Sequence, residues 1–584
     1  MPSFSPNIIA DSITSCAVYN PDGEIIIHKD RRITWKELVP RAFKIARALM
    51  KLGVKKDDKV VFMFHNTPEF IEINFGIQIA GAVPCPMNYR FVPSEVEFQA
   101  DHSDATVLIF DGIWSEAVVP AVKNLKKIKY VICRGECEGQ NFIDYDGFVN
   151  SGEAMDPKVA NQWEDVAVMI YTGGTTGFPK GVMLTYQGHL DMFAMVSAHI
   201  LVRMFTMEMS PERKEKLIAD SAVPLKTVLG PFYRSAMFKR LMEKPKTLAF
   251  LQDKVKDSIM NPEKLKKGYR NVKKAMYPSM PFFHDASYAN LMMGALTGTL
   301  CYVLPDDVKF DPKRILELVE KESVSNLANV PTGWKMLLSY PGFSQYDVGS
   351  VKLAATGGGA CPKELKQQIL RAFPEAMVID AFGQTEMTPV TSFKLDVDPD
   401  RVKERSVGES IVDIKIVDEN DNEVRRGESG EILYRSSTLM KGYYKDEDKT
   451  REVVSDGWFR SGDPGYIDES GEIRVVDRKK ECINTGGEKV FPLEVEEIIS
   501  SHPKVDSVCV IGVPDAEWGS RVQAVVQLKP GQTADPREII EFCRGKLAGY
   551  KIPRNIVFVD HIPFSPAGKL LRQKVRDAYG SPAD

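Results

Sequence analysis

The sequence predicts an α/β protein with a large layered N-terminal region of several subdomains and a smaller α+β unit at its C-terminal end. Helix and strand signals alternate in the first part of the chain, which is typical of helices packed on strands. The last part shows two strand signals followed by a helix signal. At 584 residues the chain exceeds one ordinary core, so roughly two to four domains are expected.

The alternation begins with a helix near Thr34. Thr34 and Glu37 have the spacing of a capping box, and the apolar residues that follow fall on one helical face until Gly53 ends the helix. The later elements are expected as strand 59–64, helix 68–79, strand 81–86, helix 93–102, strand 105–110, strands 505–513 and 522–528, and helix 536–547.

Composition excludes several classes of protein. A net charge of −4 gives no reason to expect a nucleic-acid partner. The nine cysteines are irregularly spaced, so Cys133 and Cys137 are expected to be ordinary thiols of a reducing compartment. The first residues lack a basic region followed by an apolar core, so no signal peptide is expected, and no run approaches the roughly 18 apolar residues of a membrane span. A cytoplasmic location is therefore expected.

The stretch from Tyr171 to Gly181 reads Y-T-G-G-T-T-G-F-P-K-G and follows an apolar strand signal at 166–170. Its glycines allow backbone N–H groups to converge on one anion, its threonines add hydroxyl donors, and Lys180 adds a positive charge. This composition predicts a phosphate-binding loop rather than a flexible surface loop. It is not the usual P-loop, because Pro179 precedes the lysine and Gly181 follows it.

The stretch closely resembles the phosphate loop of the adenylate-forming (AMP-binding) superfamily, written [YF]-[TS]-[SG]-G-[TS]-T-G-x-P-K-G. That family includes acyl-CoA synthetases, luciferases and the adenylation domains of peptide synthetases. Three further stretches resemble its nucleotide motifs: T-G-G-G-A from Thr356, D-A-F-G-Q-T-E from Asp380, and W-F-R-S-G-D ending at Asp463. The resemblance covers nearly all of 32–572, apart from a basic segment.

The resemblance assigns roles to these residues. Phe382 would stack on adenine, Asp380 would face its amino group, and Asp463 would accept hydrogen bonds from the ribose. Thr385 would contact the α-phosphate, and Glu386 and Thr176 would bind Mg²⁺. The ATP- or AMP-binding residues implied are Thr172, Gly173, Gly174, Thr175, Thr176, Lys180, Gly358, Gly359, Ala360, Asp380, Phe382, Gly383, Gln384, Asp463 and Arg478.

The resemblance also implies a hinge at Lys480, which divides a large domain of 1–479 from a small mobile domain of 480–584. In the small domain, Gly486 and Gly487 would line the path of coenzyme A, although the pair alone could be a simple hairpin turn. Lys569 would reach into the active site from the small domain. The catalytic residues implied are Lys569, Glu386 and Thr385.

The acid-binding pocket is the least determined part of the site. Candidates by motif position are Phe283, His284, Val330, Pro331, Gly359 and Thr388, which favour an apolar acyl group. Short, medium, long, alicyclic and aromatic acids all remain open. Asp285 raises an alternative, because adenylation domains of peptide synthetases place an Asp near this position to bind an amino group.

A basic segment separates the phosphate loop from the acyl-pocket motif. Residues 211–275 hold 17 Lys or Arg against 7 Asp or Glu, a net charge of +10. We expect a helical insertion at about 205–275. It is either a solvated surface or a basic face that attracts anionic lipid or the phosphates of coenzyme A.

The expected function is that of an ATP-dependent acyl-CoA synthetase, which forms an acyl-adenylate and pyrophosphate and then an acyl-CoA and AMP. ATP, Mg²⁺, coenzyme A and a small carboxylic acid are the implied cofactors and partners, with a monomer or homodimer as the assembly. The alternatives are a stand-alone adenylation enzyme for an amino or aryl acid, a luciferase-like oxygenase, and a non-catalytic nucleotide-binding regulator. Retention of Glu386 and Lys569 argues against the regulator.

Overall fold

The structure is a computed structural model. It describes residues 6–137, 142–172, 179–207, 209, 235–242, 244–261, 274–359, 361–403, 406–475, 483–485, 488–515, 519–544, 546–547, 549–564 and 570–581. Within this part of the chain, a large α/β region with parallel sheets precedes a small α+β region, as the sequence predicts. The helices that it describes include none long and apolar enough to span a bilayer.

The chain begins with α1 (Ile8–Tyr19), β1 (Glu24–His28), β2 (Arg31–Thr34) and α2 (Trp35–Lys51). The predicted capping box starts α2, since Glu37 accepts hydrogen bonds from the backbone N (2.8 Å) and hydroxyl (2.6 Å) of Thr34. Gly53 follows α2 with φ of 89°, a left-handed conformation that suits glycine. The predicted apolar face of α2 is buried.

The next region is a five-stranded parallel sheet in the order β4-β3-β5-β6-β7. Its elements are β3 (Lys59–Met63), α3 (Pro68–Ile79), β4 (Val83–Pro86), α4 (Pro93–His102), β5 (Val107–Asp111), α5 (Ser115–Val122), β6 (Tyr130–Arg134), β7 (Ile143–Asp144) and α6 (Tyr145–Ser151). The predicted alternation is therefore confirmed. Cys133 and Cys137 form a disulfide, so the expectation of two free thiols is wrong.

A hairpin and a long helix come next: β8 (Val166–Thr172), β9 (Lys180–Thr185) and α7 (Tyr186–Thr206). The basic segment then contributes α8 (Ala236–Met242) and α9 (Pro245–Met260), which are helical as expected. The insertion is expected to extend to about residue 275. Residues from Lys274 onward already form a strand of the large sheet, because they pair in parallel with two neighbouring strands.

That sheet has nine strands in the order β16-β15-β14-β13-β12-β10-β11-β1-β2. Its elements are β10 (Lys274–Pro278), α10 (Asp285–Thr297), β11 (Leu300–Val303), α11 (Pro312–Glu322), β12 (Asn326–Asn329), α12 (Pro331–Leu338), β13 (Leu353–Gly357), α13 (Lys363–Ala372), β14 (Met377–Phe382), β15 (Ser392–Asp396) and β16 (Glu409–Ser410). Strands β1 and β10 to β14 are parallel, whereas β2, β15 and β16 run antiparallel to their neighbours.

An antiparallel sheet in the order β17-β18-β21-β20, with β22 beside β21, completes the large region. This part of the chain forms β17 (Asp413–Val417), β18 (Gly430–Arg435), β19 (Gly442–Tyr443), α14 (Glu447–Val453), β20 (Val454–Ser455), β21 (Trp458–Ile467) and β22 (Ile473–Val475). The short strand β19 pairs instead with β9, so it joins this part of the chain to the phosphate hairpin.

The small region contains β23 (Ile483–Thr485), β24 (Glu488–Val490), α15 (Pro492–Ser500), β25 (Val505–Asp515), β26 (Gly519–Leu528), α16 (Pro536–Cys543), β27 (Asn555–Val559) and α17 (Arg572–Tyr579). Helix α16 ends earlier than the expected residue 547. The buried apolar residues of this region form two clusters of their own. Lys335 of α12 donates a hydrogen bond from Nζ to the carbonyl oxygen of Asp506 (2.7 Å), which connects the two regions.

Candidate active site

Two of the predicted nucleotide motifs, T-G-G-G-A and D-A-F-G-Q-T-E, lie at one edge of the nine-stranded sheet. Strands β12, β13 and β14 are parallel neighbours, so their carboxyl ends at Asn329, Gly357 and Phe382 open on the same side. In open α/β sheets, ligands bind outside the carboxyl ends of the strands. The residues that follow these three ends are those that the motifs assign to the acid and the nucleotide.

The acyl-pocket and adenine candidates adjoin at this edge. A Cβ added to Gly358 would lie 3.7 Å from Cγ1 of Val330, and one added to Gly359 would lie 4.0 Å from Cδ of Pro331. Gly358 has φ of 75°, a conformation that L side chains rarely adopt. The backbone at this turn therefore presents a bare surface, which suits close approach of a flat ring.

The phosphate hairpin begins and ends as a regular antiparallel pair. Thr172 and Lys180 face each other across β8 and β9, which confirms the strand predicted before the glycines. The hydroxyl of Tyr171 lies 2.9 Å from Nδ1 of His102.

Glu386, the proposed Mg²⁺ ligand, is held by the segment around β19. It lies in a 3-10 turn, Thr385–Met387. Its Oε1 accepts a hydrogen bond from the hydroxyl of Tyr443 (2.8 Å), and its carbonyl oxygen accepts one from the backbone N of Met440 (2.8 Å). Burial, followed by the charge of Glu386, raises the pKa of Tyr443, so this phenol remains a donor.

Tyr443 also contacts the phosphate hairpin. Nζ of Lys180 lies 5.1 Å from the centroid of its ring, and Tyr443 pairs with Val182 across β19 and β9. One tyrosine thus connects the cation of the phosphate loop with the carboxylate that would bind the metal. The sequence analysis did not identify Tyr443, because only the pairing of β19 with β9 brings it to Glu386.

Gln384 and Asp463 form a second connection. Nε2 of Gln384 donates to the carbonyl oxygen of Ser461 (2.9 Å) and to a carboxylate oxygen of Asp463, and Asp463 is buried. The two motifs that would hold the α-phosphate and the ribose are therefore in direct contact.

Asp380 lies on β14 and is paired with a residue that the sequence analysis did not identify. Its Oδ2 lies 2.9 Å from Nζ of Lys366 on α13, and both side chains are buried. Burial raises the pKa of Asp380, and the charge of Lys366 opposes this effect. Burial would lower the pKa of Lys366, but the adjacent carboxylate raises it overall, so the contact is an ion pair.

Among the remaining acyl-pocket candidates, Phe283 and Thr388 are buried and His284 is half-buried. The ring of Phe283 lies 5.4 Å from that of Tyr89 and 4.3 Å from that of His284. Thr388 has φ of 43° and donates its hydroxyl to the carbonyl oxygen of Thr438 (2.6 Å).

Asp285, at the start of α10, has an unusual environment. It is buried, and neither of its carboxylate oxygens has a hydrogen-bond partner among the described residues. Burial, followed by the nearby charge of Glu386, raises the pKa of Asp285 well above its usual range. Both effects therefore disfavour the charged form of Asp285, which lies near the proposed metal ligand.

Several predicted residues lie outside the described part of the chain, and their roles stay predictions. They are Gly173, Gly174, Thr175, Thr176, Ala360, Arg478, Lys480, Gly486, Gly487 and Lys569.

A magnesium site at Glu386 fits the donors present. The described residues contain no group of three or more His, Cys, Asp or Glu side chains placed to hold a metal ion. Magnesium in nucleotide sites needs only one or two carboxylates, with phosphate oxygens and water as its other ligands. The hard oxygen of Glu386 suits that chemistry.

Sequence models of two families match the chain. The AMP-binding enzyme model matches residues 14–216 and 253–444, and the AMP-binding enzyme C-terminal domain matches 494–569. The long-chain-fatty-acid–CoA ligase of Bacillus subtilis (strain 168) is 28% identical, over 98% of this chain and 94% of its own. The feruloyl-CoA synthase of Amycolatopsis sp. is 29% identical, over 96% and 97%.

Solved structures show the same fold. The anthranilate CoA ligase AuaEII, in complex with anthranoyl-AMP, superposes with a TM-score of 0.78 at 22% identity, covering 97% of this chain and 96% of that protein. The amide bond synthetase McbA from Marinactinospora thermotolerans superposes with a TM-score of 0.74 at 20% identity, covering 97% and 100%. With both family models matched and most of the chain covered, the protein belongs to the AMP-binding enzyme family.

Proposed function

We propose that the protein is an AMP-forming carboxylic acid–CoA ligase. The observation that supports this proposal is the contact of Tyr443 with both Lys180, the proposed cation of the phosphate loop, and Glu386, the proposed metal ligand. The relatives named as CoA ligases favour coenzyme A as the acyl acceptor.

The first step would activate the acid. An oxygen of the carboxylate attacks the α-phosphorus of ATP, the bond to pyrophosphate breaks, and the products are acyl-AMP and pyrophosphate. Both reactants are negative, so positioned positive charge lowers the barrier. Lys180 and Lys569 would supply it from the protein. Bound magnesium would neutralise phosphate charge, with Glu386 and Thr176 as its proposed protein ligands.

The second step would transfer the acyl group. After the small domain turns about Lys480, Lys569 withdraws and the thiolate of coenzyme A enters past Gly486 and Gly487. The thiolate attacks the acyl carbon and the bond to AMP breaks, giving acyl-CoA and AMP. The phosphoanhydride consumed and the thioester formed are similar in energy, so the overall reaction would be reversible.

The test is to measure pyrophosphate, AMP and thioester across a panel of carboxylic acids, with and without coenzyme A. We expect at least one acid to release pyrophosphate and to give AMP and thioester only when coenzyme A is present. Absence of AMP with every acid would refute the proposal.

Asp285 favours a second candidate function, adenylation of an amino acid or amino-aryl acid for another acceptor. The buried carboxyl group of Asp285 has no hydrogen-bond partner among the described residues, so it is free to hydrogen-bond the amino group of a substrate. Pyrophosphate release from paired acids with and without an amino group, such as anthranilate and benzoate, tests this role of Asp285, and the absence of thioester when coenzyme A is present separates the two functions. A preference for anthranilate that Asp285→Ala abolishes would support this candidate, and equal use of both acids would reject it.

We also propose that the basic segment contacts anionic membrane surfaces. Met237 of α8 and Phe250 of α9 are 66% and 57% exposed, and Nζ of Lys254 lies 5.4 Å from the Phe250 ring. Exposed apolar side chains beside cations suit a layer of anionic headgroups.

Sedimentation with phosphatidylserine and with phosphatidylcholine vesicles tests the membrane contact. The wild type should bind only the anionic vesicles, and Met237→Ser with Phe250→Ser should weaken that binding. Met155→Ser removes a methionine that is 57% exposed elsewhere on the surface and is the matched control. Equal sedimentation with both vesicle types, or none with either, would contradict the proposal.

A further inference from the structure

The buried pair of Asp380 and Lys366 is not explained by the reaction proposed above. In the sheet, Asp380 lies beside Thr356 of β13 and Lys394 of β15, and Lys366 reaches it from α13. The Lys366 and Asp380 side chains are only 2% and 8% exposed. A buried pair of this kind contributes little net stability, although removing one partner alone is costly.

Only one oxygen of the carboxylate is used in this pair. Nζ of Lys366 contacts Oδ2, whereas Oδ1 accepts no hydrogen bond from the described residues. The other charges that act on Asp380 are also known: Lys394 lowers its pKa, and Asp396, which lies nearby on β15, acts on Lys366. Lys366 is the only one of these groups bonded to Asp380 in the described structure.

We propose that Lys366 is a positioning residue that holds Asp380 as a fixed, ionised acceptor and so determines which purine base the site takes. The inference rests on the proposed function, in which Asp380 faces the six-position of the base. A carboxylate can only accept hydrogen bonds. Adenine carries an amino donor at its six-position, whereas guanine and hypoxanthine carry a carbonyl acceptor, which an ionised Asp380 would repel.

Loss of Lys366 would change this discrimination. A buried carboxylate without its cation takes up a proton, because burial disfavours the charged form. The resulting carboxylic acid can donate a hydrogen bond as well as accept one. The site would then accept a six-oxo purine nearly as well as adenine.

The experiment measures equilibrium binding of fluorescent ATP and ITP analogues and their KM values for pyrophosphate release. The wild type should prefer ATP. In Lys366→Met the ATP-to-ITP preference should fall about tenfold, as expected for one hydrogen bond to a charged group, with a larger effect on KM than on kcat. Lys366→Arg keeps the charge and should retain most of the preference.

Two further variants separate positioning from a merely structural role. Lys366→Met combined with Asp380→Asn leaves a neutral pair, so it should recover ATP binding but not the preference over ITP, since an amide can donate or accept. If Lys366→Met does not fold, the ATP-to-ITP preference of this double variant is compared with that of the wild type instead. Lys352→Met removes the cation of a more exposed pair with Glu375 (3.5 Å) and is the control.

The results distinguish this inference from the proposed function. An unchanged ATP-to-ITP ratio in Lys366→Met and in the double variant, with normal ATP binding by the wild type, would overturn the role of Lys366 alone. Absence of ATP binding and of pyrophosphate release in the wild type would overturn the proposed function itself.

Discussion

Tyr443 is the residue on which the geometry of the proposed metal site depends. Its hydroxyl donates to Glu386 and its ring lies under the ammonium group of Lys180. Hydrogen bonds from the second layer around a metal orient the ligand and typically change metal affinity about tenfold or more. Tyr443→Phe keeps the ring and removes only the donor.

We expect Tyr443→Phe to raise the Mg²⁺ concentration for half-maximal pyrophosphate release by about tenfold, because Glu386 loses its orienting bond. A magnesium titration of the reaction gives this value. Tyr444→Phe is the matched control, since it removes a tyrosine–carboxylate hydrogen bond of equal length (2.8 Å) to Asp104. A similar shift in both variants would show that Tyr443 has no special role.

At the scale of single residues, the sequence predicts which residues belong to the motifs. It does not predict the residues that contact them, such as Tyr443 beside Glu386 and Lys366 beside Asp380. Phosphate loops and glycine turns are contiguous in the chain, so their composition identifies them. Tyr443 and Glu386 are 57 residues apart, and Lys366 looks like any polar residue of an amphipathic helix. Only the folded sheet brings each of them to its partner.

At the scale of elements, the turn between β14 and β15 carries most of the candidate site. Gly383 opens this turn, and an added Cβ would lie 2.0 Å from the carbonyl oxygen of Pro389. Such an overlap with backbone cannot be relieved by a side-chain rotation. The turn therefore has its present course only because residue 383 lacks a side chain.

Gly383→Ala should lower the free energy of unfolding by about 3 kcal/mol or more, as overpacking in a rigid site does. Chemical unfolding followed by fluorescence measures the change. Gly359→Ala is the comparison, because its Cβ would meet nothing closer than 4.0 Å. It should keep the stability of the wild type and weaken nucleotide binding. Equal stability of the two variants would contradict this account of the turn.

The sequence also predicts element types better than element ends. The capping box fixed the start of α2, because two side chains three residues apart satisfy each other locally. The end of α16 at Cys543 could not be read from periodicity, since the apolar pattern continues to Leu547. Strand β10 was not predicted, because Lys274 at its start continues the basic run of the residues before it.

At the scale of the whole molecule, two buried histidines predict how stability depends on pH. Burial lowers the pKa of His28 and of His189 to about 4. Both are therefore neutral when folded, whereas unfolded histidine takes up a proton near pH 6.5. The stability that they provide is complete above pH 6.5 and is lost as the pH falls toward 4.

His189→Asn should flatten this dependence, because the amide does not titrate. The wild type should lose roughly 3 kcal/mol more than the variant between pH 7 and pH 4, the equivalent of the His189 pKa shift. Thermal unfolding midpoints across this range measure the difference. His561→Asn alters an exposed histidine and should follow the wild type. Parallel curves for wild type and His189→Asn would refute the prediction.

The two regions of the molecule have separate apolar cores, which suits a small domain that moves as a unit. If the domain turns between steps, the half-reactions should be separable by mutation. Lys569→Ala should abolish acyl-adenylate formation while sparing thioester formation from a supplied acyl-adenylate, and Gly487→Trp should do the reverse. Assays of each half-reaction test this, and equal loss of both in either variant would count against the turning domain.

The hydrogen bond from Lys335 to the carbonyl of Asp506 attaches α12 to the small region. This helix begins directly after Val330, a proposed residue of the acid pocket, and is only eight residues, or roughly 12 Å, long. A helix this short moves as a rigid body, so a displacement of its first residue also displaces Lys335. A bulky acid that contacts Val330 would therefore displace α12 and strain its hydrogen bond to the small region. The size of the bound acid would then influence when the small domain turns.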